Sequence, residues 1–470
     1  MAEAKDGVMI GLECHVQLAT ESKLFCSCPT TAEQPNSACC PICLGHPGSK
    51  PALNAKALEY SIKVALALNC QINNEFFFSR KTYFYPDMSK NFQITQYEIP
   101  IGVNGVLTLG SGKKVRIRRV HLEEDPAALV HEAGMHASDY CLVDYNRSGI
   151  PLVEVVTEPD LTSPQEARDF LDQITTVLSY LRVYSLSTGT LKADCNASVY
   201  GNSRVEVKNV TGKKGVEKAL GFEIARQKNL LLNEKPIVRE TRAFDEMTMT
   251  TKAMRGKETE DDYGYIFESD LTAIQLSREE IEKMRKNLPE LHEAKAMRFQ
   301  NEFKLDEYTA NVLARNFSLG NIFEDVAKKV DALVAARFLS RELLAVVNRS
   351  NLDLEALQLD AVEIGALLSL LLNGKITEKV AKEAIIAYLT KKIKPTDFIE
   401  RHHLAKDLHS DEVEKAVEQV LASNKQAIAD LKSGNAKTMN FLVGQVMRLT
   451  KAKAEPRLVQ KIIEKTLEKS

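Results

Sequence analysis

The pattern of the chain changes at Ser277, and this change limits its architecture more than any single motif. Up to about residue 276, stretches that alternate apolar and polar residues are interleaved with Gly and Pro turns and a few helical patterns. Beyond that point only Pro289, Pro395 and Pro456 remain of the prolines, and Ala/Leu/Glu/Lys segments with apolar residues every three or four positions dominate. The first pattern has the period of a strand and the second that of a helix. Mixed elements followed by helices alone predict an α+β protein. Its expected parts are a mixed α/β cradle domain with an antiparallel sheet over 1–276, an all-α domain over 277–394, and a small helical tail domain over 395–470. The second boundary rests on Lys394-Pro395-Thr396-Asp397, where a helix must break.

Net charge is −2, so no global basic field draws a polyanion. A nucleic-acid partner would have to be met by local patches or shape. The longest apolar run, near Ile364 to Leu372, is far short of the roughly 20 residues that span a membrane. The N-terminal residues carry no signal-like apolar segment. A cytoplasmic protein with no membrane contact is expected. Nine cysteines in 470 residues do not make a disulfide framework.

Ile10 to Leu18 alternates cleanly. Leu12, Cys14, Val16 and Leu18 would face a core, and Glu13, His15 and Gln17 would share the opposite face. A carboxylate and an imidazole two residues apart can share one divalent cation, although a half-solvated strand shows the same alternation. Val115 to Pro126 alternates too, but its phase slips between Arg118 and Arg119, which predicts a bulge. With Val120 and Leu122 inward, His121 and Glu123 share the polar face, and strict alternation turns Glu124 inward. Three successive carboxylates, Glu123 to Asp125, need either a cation or solvent between them. Strands flank Gly201-Asn202-Ser203, and a three-residue loop there pairs Asn196 with Lys208 and Ser198 with Glu206. That register gathers Asp194, Asn196, Glu206 and Lys208 on one sheet face. Ser163-Pro164-Gln165-Glu166 and Ser277 to Glu280 read as capping boxes that open helices.

Cys26-Ser27-Cys28 and Cys40-Pro41-Ile42-Cys43 bring four thiols within reach of one zinc ion; buried free thiols are the other reading. Knuckle spacing selects Cys40 and Cys43 and leaves Cys39 out. Four protein ligands close the coordination sphere, so such a zinc would be structural. Phe76 to Asp87 mixes aromatics with Arg80 and Lys81, as a base-stacking, phosphate-holding segment or a core strand would. There is no phosphate-binding G-x-x-x-x-G-K-[ST] loop, hydrolase elbow or glutaminase signature.

Taken together, ordered motifs along nearly the full length resemble the family of B subunits of the aspartyl/glutamyl-tRNA amidotransferases. They include Gly11-Leu12-Glu13-Cys14-His15-Val16, Cys40-Pro41-Ile42-Cys43-Leu44-Gly45, Arg80-Lys81-Thr82-Tyr83-Phe84-Tyr85-Pro86-Asp87 and His121-Leu122-Glu123-Glu124-Asp125. Asp144-Tyr145-Asn146-Arg147-Ser148-Gly149, Asp194-Cys195-Asn196-Ala197-Ser198, Glu206-Val207-Lys208-Asn209 and Asn440-Phe441-Leu442-Val443-Gly444 continue the series. The resemblance implies ATP-dependent transamidation of misacylated glutamyl-tRNA(Gln) or aspartyl-tRNA(Asn) through an acyl phosphate. Ammonia would come from a separate glutaminase, the A-type subunit, and a small C-type subunit would complete the complex. It implies Glu13, His15 and Glu124 as Mg²⁺ ligands, and Lys81, Tyr83, Asp194, Glu206 and Lys208 as further catalytic or nucleotide-binding residues. Cys26, Cys28, Cys40 and Cys43 match the zinc site, and Phe441 to Lys453, with Lys437, Arg448, Lys451 and Lys453, a tRNA-contacting tail. Asp125-Pro126-Ala127-Ala128 departs from the family's usual Ala-Gly-Lys run and lacks its cation. A non-catalytic zinc-containing tRNA-binding scaffold would also explain the cysteines and the tail. It would not need Glu13, His15 and Glu124 gathered together.

Overall fold

The computed structural model describes residues 7–130, 140–184, 191–256, 264–354, 356–402, 404–405, 410–424, 427–428, 431, 436–450, 454 and 456–468. Lys451 and Lys453 of the expected tail, and the side chain of Lys437, lie outside the described residues.

Two compact units divide after Ala294. The first is built on β1 (Val8–Gln17), β2 (Gln71–Ile72), β3 (Glu75–Phe76), β4 (Ser79–Thr82), β5 (Phe92–Thr95), β6 (Gly102–Thr108), β7 (Lys114–Glu124), β8 (Ala128–Val130) and β9 (Leu142–Asp144). It continues with β10 (Pro151–Thr157), β11 (Leu191–Val199), β12 (Val205–Thr211), β13 (Glu240–Asp245), β14 (Thr250–Gly256), β15 (Gly264–Phe267) and β16 (Ile274–Gln275). Nine of these strands form one sheet in the order β14-β13-β12-β11-β1-β10-β7-β6-β2. Every pair in it is antiparallel except β12 and β13, which run parallel and are joined through α3 (Gly212–Leu232). A smaller sheet, β15-β4-β5, brings in the Arg80–Thr82 segment.

Alternation decides which face of the large sheet is buried. Val8, Ile10, Leu12, Cys14 and Val16 of β1, with Val153 and Val155 of β10 and Ala193, Cys195, Ala197 and Val199 of β11, sit in one core. α1 (Ala55–Ala67), α2 (Pro164–Leu181) and α3 cover that face. Phe170, Ile174, Val177, Leu178 and Leu181 of α2 are all buried, as the helical periodicity predicts. Ser163 caps α2, with Pro164 in its first turn, but Glu166 turns its carboxylate to Thr162 N and Lys113 instead of closing the box. The box at Ser277 is complete and opens α4 (Arg278–Lys286). α4 packs Ile281 and Met284 on the first unit's core, so the packing boundary falls beyond the compositional one.

β7 carries the expected bulge: Val156 pairs with Arg119 and Thr157 with Ile117. The β11–β12 register differs from the expected one by two residues, since Asn196 faces Glu206, not Lys208. The chain reverses one residue earlier than expected. Tyr200 (φ 53) and Gly201 (φ 73) are both left-handed, and Asn202 N donates to Val199 O at 3.1 Å, the geometry of a tight hairpin turn. A shift of two preserves parity, so the polar residues still share a face. A second irregularity between Ala193 and Cys195 sets Lys208 beside Asp194.

β6 leaves no room for a side chain at Gly105. A Cβ there would meet Cys70 Sγ at 2.4 Å and Leu68 O at 2.6 Å, where α1 ends against the sheet. Gly105→Ala is expected to destabilise the chain by about 2 kcal/mol, read as a lower denaturant midpoint at unchanged slope.

The second unit is helical. Its described residues form two hydrophobic clusters, one from Ala296 to Ile399 and one from Val413 to Ile463. The helix Glu378–Lys391 ends at left-handed Lys392, and Pro395 opens the helix Pro395–Arg401. Ile399 of that helix packs in the first cluster, which therefore extends past Pro395. Among the described residues, no helix is long and apolar enough to cross a membrane.

Candidate active-site cleft

The sheet face opposite the helices carries the polar residues, and strand register sets them in rows. His15 of β1 pairs with Glu154 of β10, which pairs with His121 of β7. His15 also faces Lys192 of β11. One row over, Glu13 faces Asp194, and beside it Asn196 faces Glu206, which faces Thr241. Glu154 Oε2 lies 3.5 Å from His15 Nε2 and 3.3 Å from His121 Nε2, and Glu123 Oε2 lies 3.4 Å from His121 Nε2. Asn196 Nδ2 donates to Glu13 Oε1 at 2.9 Å, and Lys208 Nζ reaches Asp194 at 3.2 Å and Glu206 at 3.7 Å.

Two sets of possible ligand atoms result, His15/Glu123/Glu154 and Glu13/Asp194/Glu206, with the atoms of each set within 4.8 Å of one another. They border a cleft of about 320 Å³ whose lining includes Glu13, His15, Lys81, Tyr83, Glu123, Asp125, Pro126, Arg147, Glu154, Lys192, Asp194 and Lys208. Five carboxylates at such spacing repel one another unless cations intervene. Burial raises Glu13 above the ordinary carboxylate value, and the charges of Glu154, Asp194 and Glu206 add to it against Lys208. Burial alone would raise Glu154 too, but His121 and His15 outweigh it and hold this carboxyl well below the usual range. Burial pulls His15 down, and its hydrogen bond to Glu154 with that carboxylate's charge pushes it up to about 10. Oxygen-rich sets of this kind fit a hard divalent cation such as Mg²⁺.

Glu13, His15, Lys81, Tyr83, Asp194 and Lys208 thus meet at one cleft, with Glu206 buried against Asp194's side of it. Glu124 does not join them, which corrects its expected place beside Glu13 and His15. β7 stays extended through Glu124, so alternation sends that side chain to the opposite face. There Glu124 Oε1 pairs with Lys90 Nζ at 2.5 Å and accepts from Ile94 N at 2.8 Å. Glu123 takes the position beside the histidines. Sequence reasoning singled out neither Glu154 nor Lys192 nor Arg147 as a site residue. Glu154 did leave a signal, being the one carboxylate in the apolar run Pro151 to Thr157.

The four expected thiols, Cys26, Cys28, Cys40 and Cys43, also come together, with Sγ atoms within 4.8 Å of one another. Cys40 Sγ and Cys43 Sγ are 3.9 Å apart, close to the roughly 3.8 Å edge of a zinc–thiolate tetrahedron with 2.3 Å bonds. Cys39 turns away and bonds Asn146 Oδ1 at 3.8 Å. A hydrogen bond from Cys26, reinforced by Cys40 N–H and Lys23, lowers Cys43 to about 4 against its burial.

A family model described as the GatB/GatE catalytic domain matches residues 8–282, and another, described as the GatB domain, matches residues 321–467. The Thermotoga petrophila protein named as the B subunit of aspartyl/glutamyl-tRNA(Asn/Gln) amidotransferase is 42% identical, covering 98% of each chain. The protein of that name from Methanoregula boonei is 42% identical over 97% of each chain. The one from Sulfolobus acidocaldarius is 41% identical over 98% of this chain and 99% of its own. Matches of this extent, to both regions of the molecule, mean that the chain belongs to the GatB/GatE family.

Proposed function

We propose that this chain is the activating and amidating component of a tRNA-dependent amidotransferase, working in the cytoplasm on misacylated glutamyl-tRNA(Gln), aspartyl-tRNA(Asn) or both. The observation that carries the reading is the row His15–Glu154–His121, flanked by two acidic sets and facing cationic Lys81, Lys192, Lys208 and Arg147 across one cleft.

The chemistry asks for such a site. A carboxylate is a poor electrophile, and ammonia cannot displace its oxygen. Transfer of the γ-phosphoryl of ATP to that oxygen gives an acyl phosphate and ADP. Ammonia then attacks the carbonyl carbon, phosphate leaves with the bonding electrons, and loss of a proton gives the amide. The first step joins two anions, so its barrier falls where fixed cations meet the developing charge. Lys81, Lys192 and Lys208 are disposed for that task. His15, Glu123 and Glu154, with Glu13, Asp194 and Glu206, would hold Mg²⁺, which when bound neutralises polyphosphate charge. Asn196 and Thr241 fix the orientation of Glu13 and Glu206. Cys26, Cys28, Cys40 and Cys43 would hold a structural zinc.

Ammonia must be supplied from outside, because no glutaminase signature is present in the sequence. The partners on this reading are the glutaminase (A-type) component, the small C-type component and the tRNA. The three-part division at 276 and 394 belongs to the same reading, with the tail, including exposed Arg448, against the tRNA body. The test is ADP formation and amide formation by the co-purified complex with each misacylated tRNA. Both are expected with at least one of the two tRNAs. Tight tRNA binding with no tRNA-stimulated ADP formation would favour a scaffold instead.

A further inference from the structure

Lys23 is sealed inside the protein, with 0% of its surface exposed. An ammonium taken out of water needs acceptors for its protons and an opposite charge nearby. The acceptors are Ala38 O at 2.8 Å, Tyr145 O at 3.2 Å and Cys43 Sγ at 3.7 Å. Among the described residues, no carboxylate forms an ion pair with it. Two of the three partners are neutral carbonyls, so the only one able to carry a negative charge is the sulfur. A neutral thiol there would leave the ammonium uncompensated in the interior. A thiolate would not.

The same logic holds from the metal's side. Four thiolates around one divalent zinc leave a net charge of about −2. The two Cys segments are packed into the protein, with Cys26 and Cys43 buried, so that excess needs a fixed positive neighbour. Lys23 provides one unit of it. It also joins the centre to a second place. Tyr145, whose carbonyl it holds, opens the segment Tyr145–Gly149. Ser148 Oγ donates to Cys43 O at 3.0 Å, Ala38 N to Asn146 Oδ1 at 2.8 Å, and Leu24 N to Gly149 O at 2.8 Å. Within this segment Arg147 forms a two-pronged pair with Asp125 and lines the cleft.

We propose that Lys23 is the fixed counter-charge of the four-cysteine centre and ties that centre to the loop that carries Arg147. The inference rests on the reading of the four thiols as zinc ligands. Lys23 is a positioning residue on this account, since it touches neither substrate nor the reacting atoms.

The full chain is loaded with zinc, dialysed and titrated with a chromophoric zinc chelator. Less than one equivalent retained by the wild type overturns the zinc reading, and the proposal falls with it. Given a loaded wild type, Lys23→Met keeps an unbranched side chain and removes the charge together with the hydrogen bonds to Ala38 O and Tyr145 O. It is expected to weaken zinc binding by about 10–100-fold, at unchanged circular dichroism under excess zinc. Unchanged affinity overturns the proposal while leaving the zinc reading intact. If Lys23→Met does not fold, the wild type decides through reductive methylation read by mass spectrometry. Lys23 is expected to be modified at least about ten-fold faster after zinc is chelated, while exposed Lys56 is modified equally in both states. Equal rates at Lys23 overturn the proposal.

Discussion

Replacing Glu154 by Gln is expected to lower tRNA-stimulated ADP formation by about 10²–10³-fold, with the fold retained. The side chain sits between His15 and His121, within 3.5 Å of both. Gln has nearly the same shape, so packing against β1 and β7 survives and the loss reports charge. With the anion gone, both imidazoles lose the partner that holds them up in pKa, and His15/Glu123/Glu154 loses one of its two carboxylates. The acid limb of stability should change as well. A carboxylate held below its ordinary value contributes stability that is present above that value and lost as pH falls through its folded one. The imidazole contribution has the opposite sign: it is present below the ordinary histidine value and lost as pH rises through about 10 for His15. Glu154→Gln should therefore flatten the stability profile at both ends, measured by denaturation across pH. Activity within about three-fold of wild type would remove Glu154 from the chemistry.

How much of this was legible before the structure depends on the range of the signal. Glu13 and His15 were readable because alternation is local: Leu12, Cys14 and Val16 must be buried together, and the residues between them must not. The bulge at Arg118–Arg119 was readable for the same reason, as a slip of phase. The gathering of Cys26, Cys28, Cys40 and Cys43 followed from spacing, and Cys39 turns away from them. The row His15–Glu154–His121 was not readable, because it depends on β1 lying beside β10 and β10 beside β7. Those strands are far apart in the chain, and nothing local fixes their order. The β11–β12 register was missed by two residues because the chain already turns at Tyr200, a bulky residue in the left-handed conformation, whereas the expected loop began at Gly201. Lys23 was invisible because a lone lysine in a loop reads as solvent-exposed.

Glu123 and Glu124 are neighbours in sequence and are expected to fail in opposite ways. Glu123 lies on the cleft face, 3.4 Å from His121, with Thr95 Oγ1 donating to it at 3.0 Å. Glu123→Gln keeps the hydrogen bond from Thr95 and removes a charge from the proposed metal-ligand set His15/Glu123/Glu154. Activity should fall by about 10²-fold, with a stability change of about 1 kcal/mol or less. Glu124 faces the other way and neutralises Lys90, which is itself largely buried. Glu124→Gln leaves that ammonium without its partner, and breaking a buried pair from one side costs about 3 kcal/mol. Its carbonyl oxygen also anchors Gln93, and its carboxylate holds Ile94 N at the start of the segment that follows Lys90. The expected result is a lower denaturant midpoint, with the activity of the remaining folded enzyme reduced far less than in Glu123→Gln. Glu124→Gln combined with Lys90→Met removes both charges and should recover part of the lost stability. If the single variants instead show the reverse, activity lost at Glu124 and stability lost at Glu123, then the strand's facing is wrong. The metal-binding set would then be the one that resemblance alone implied.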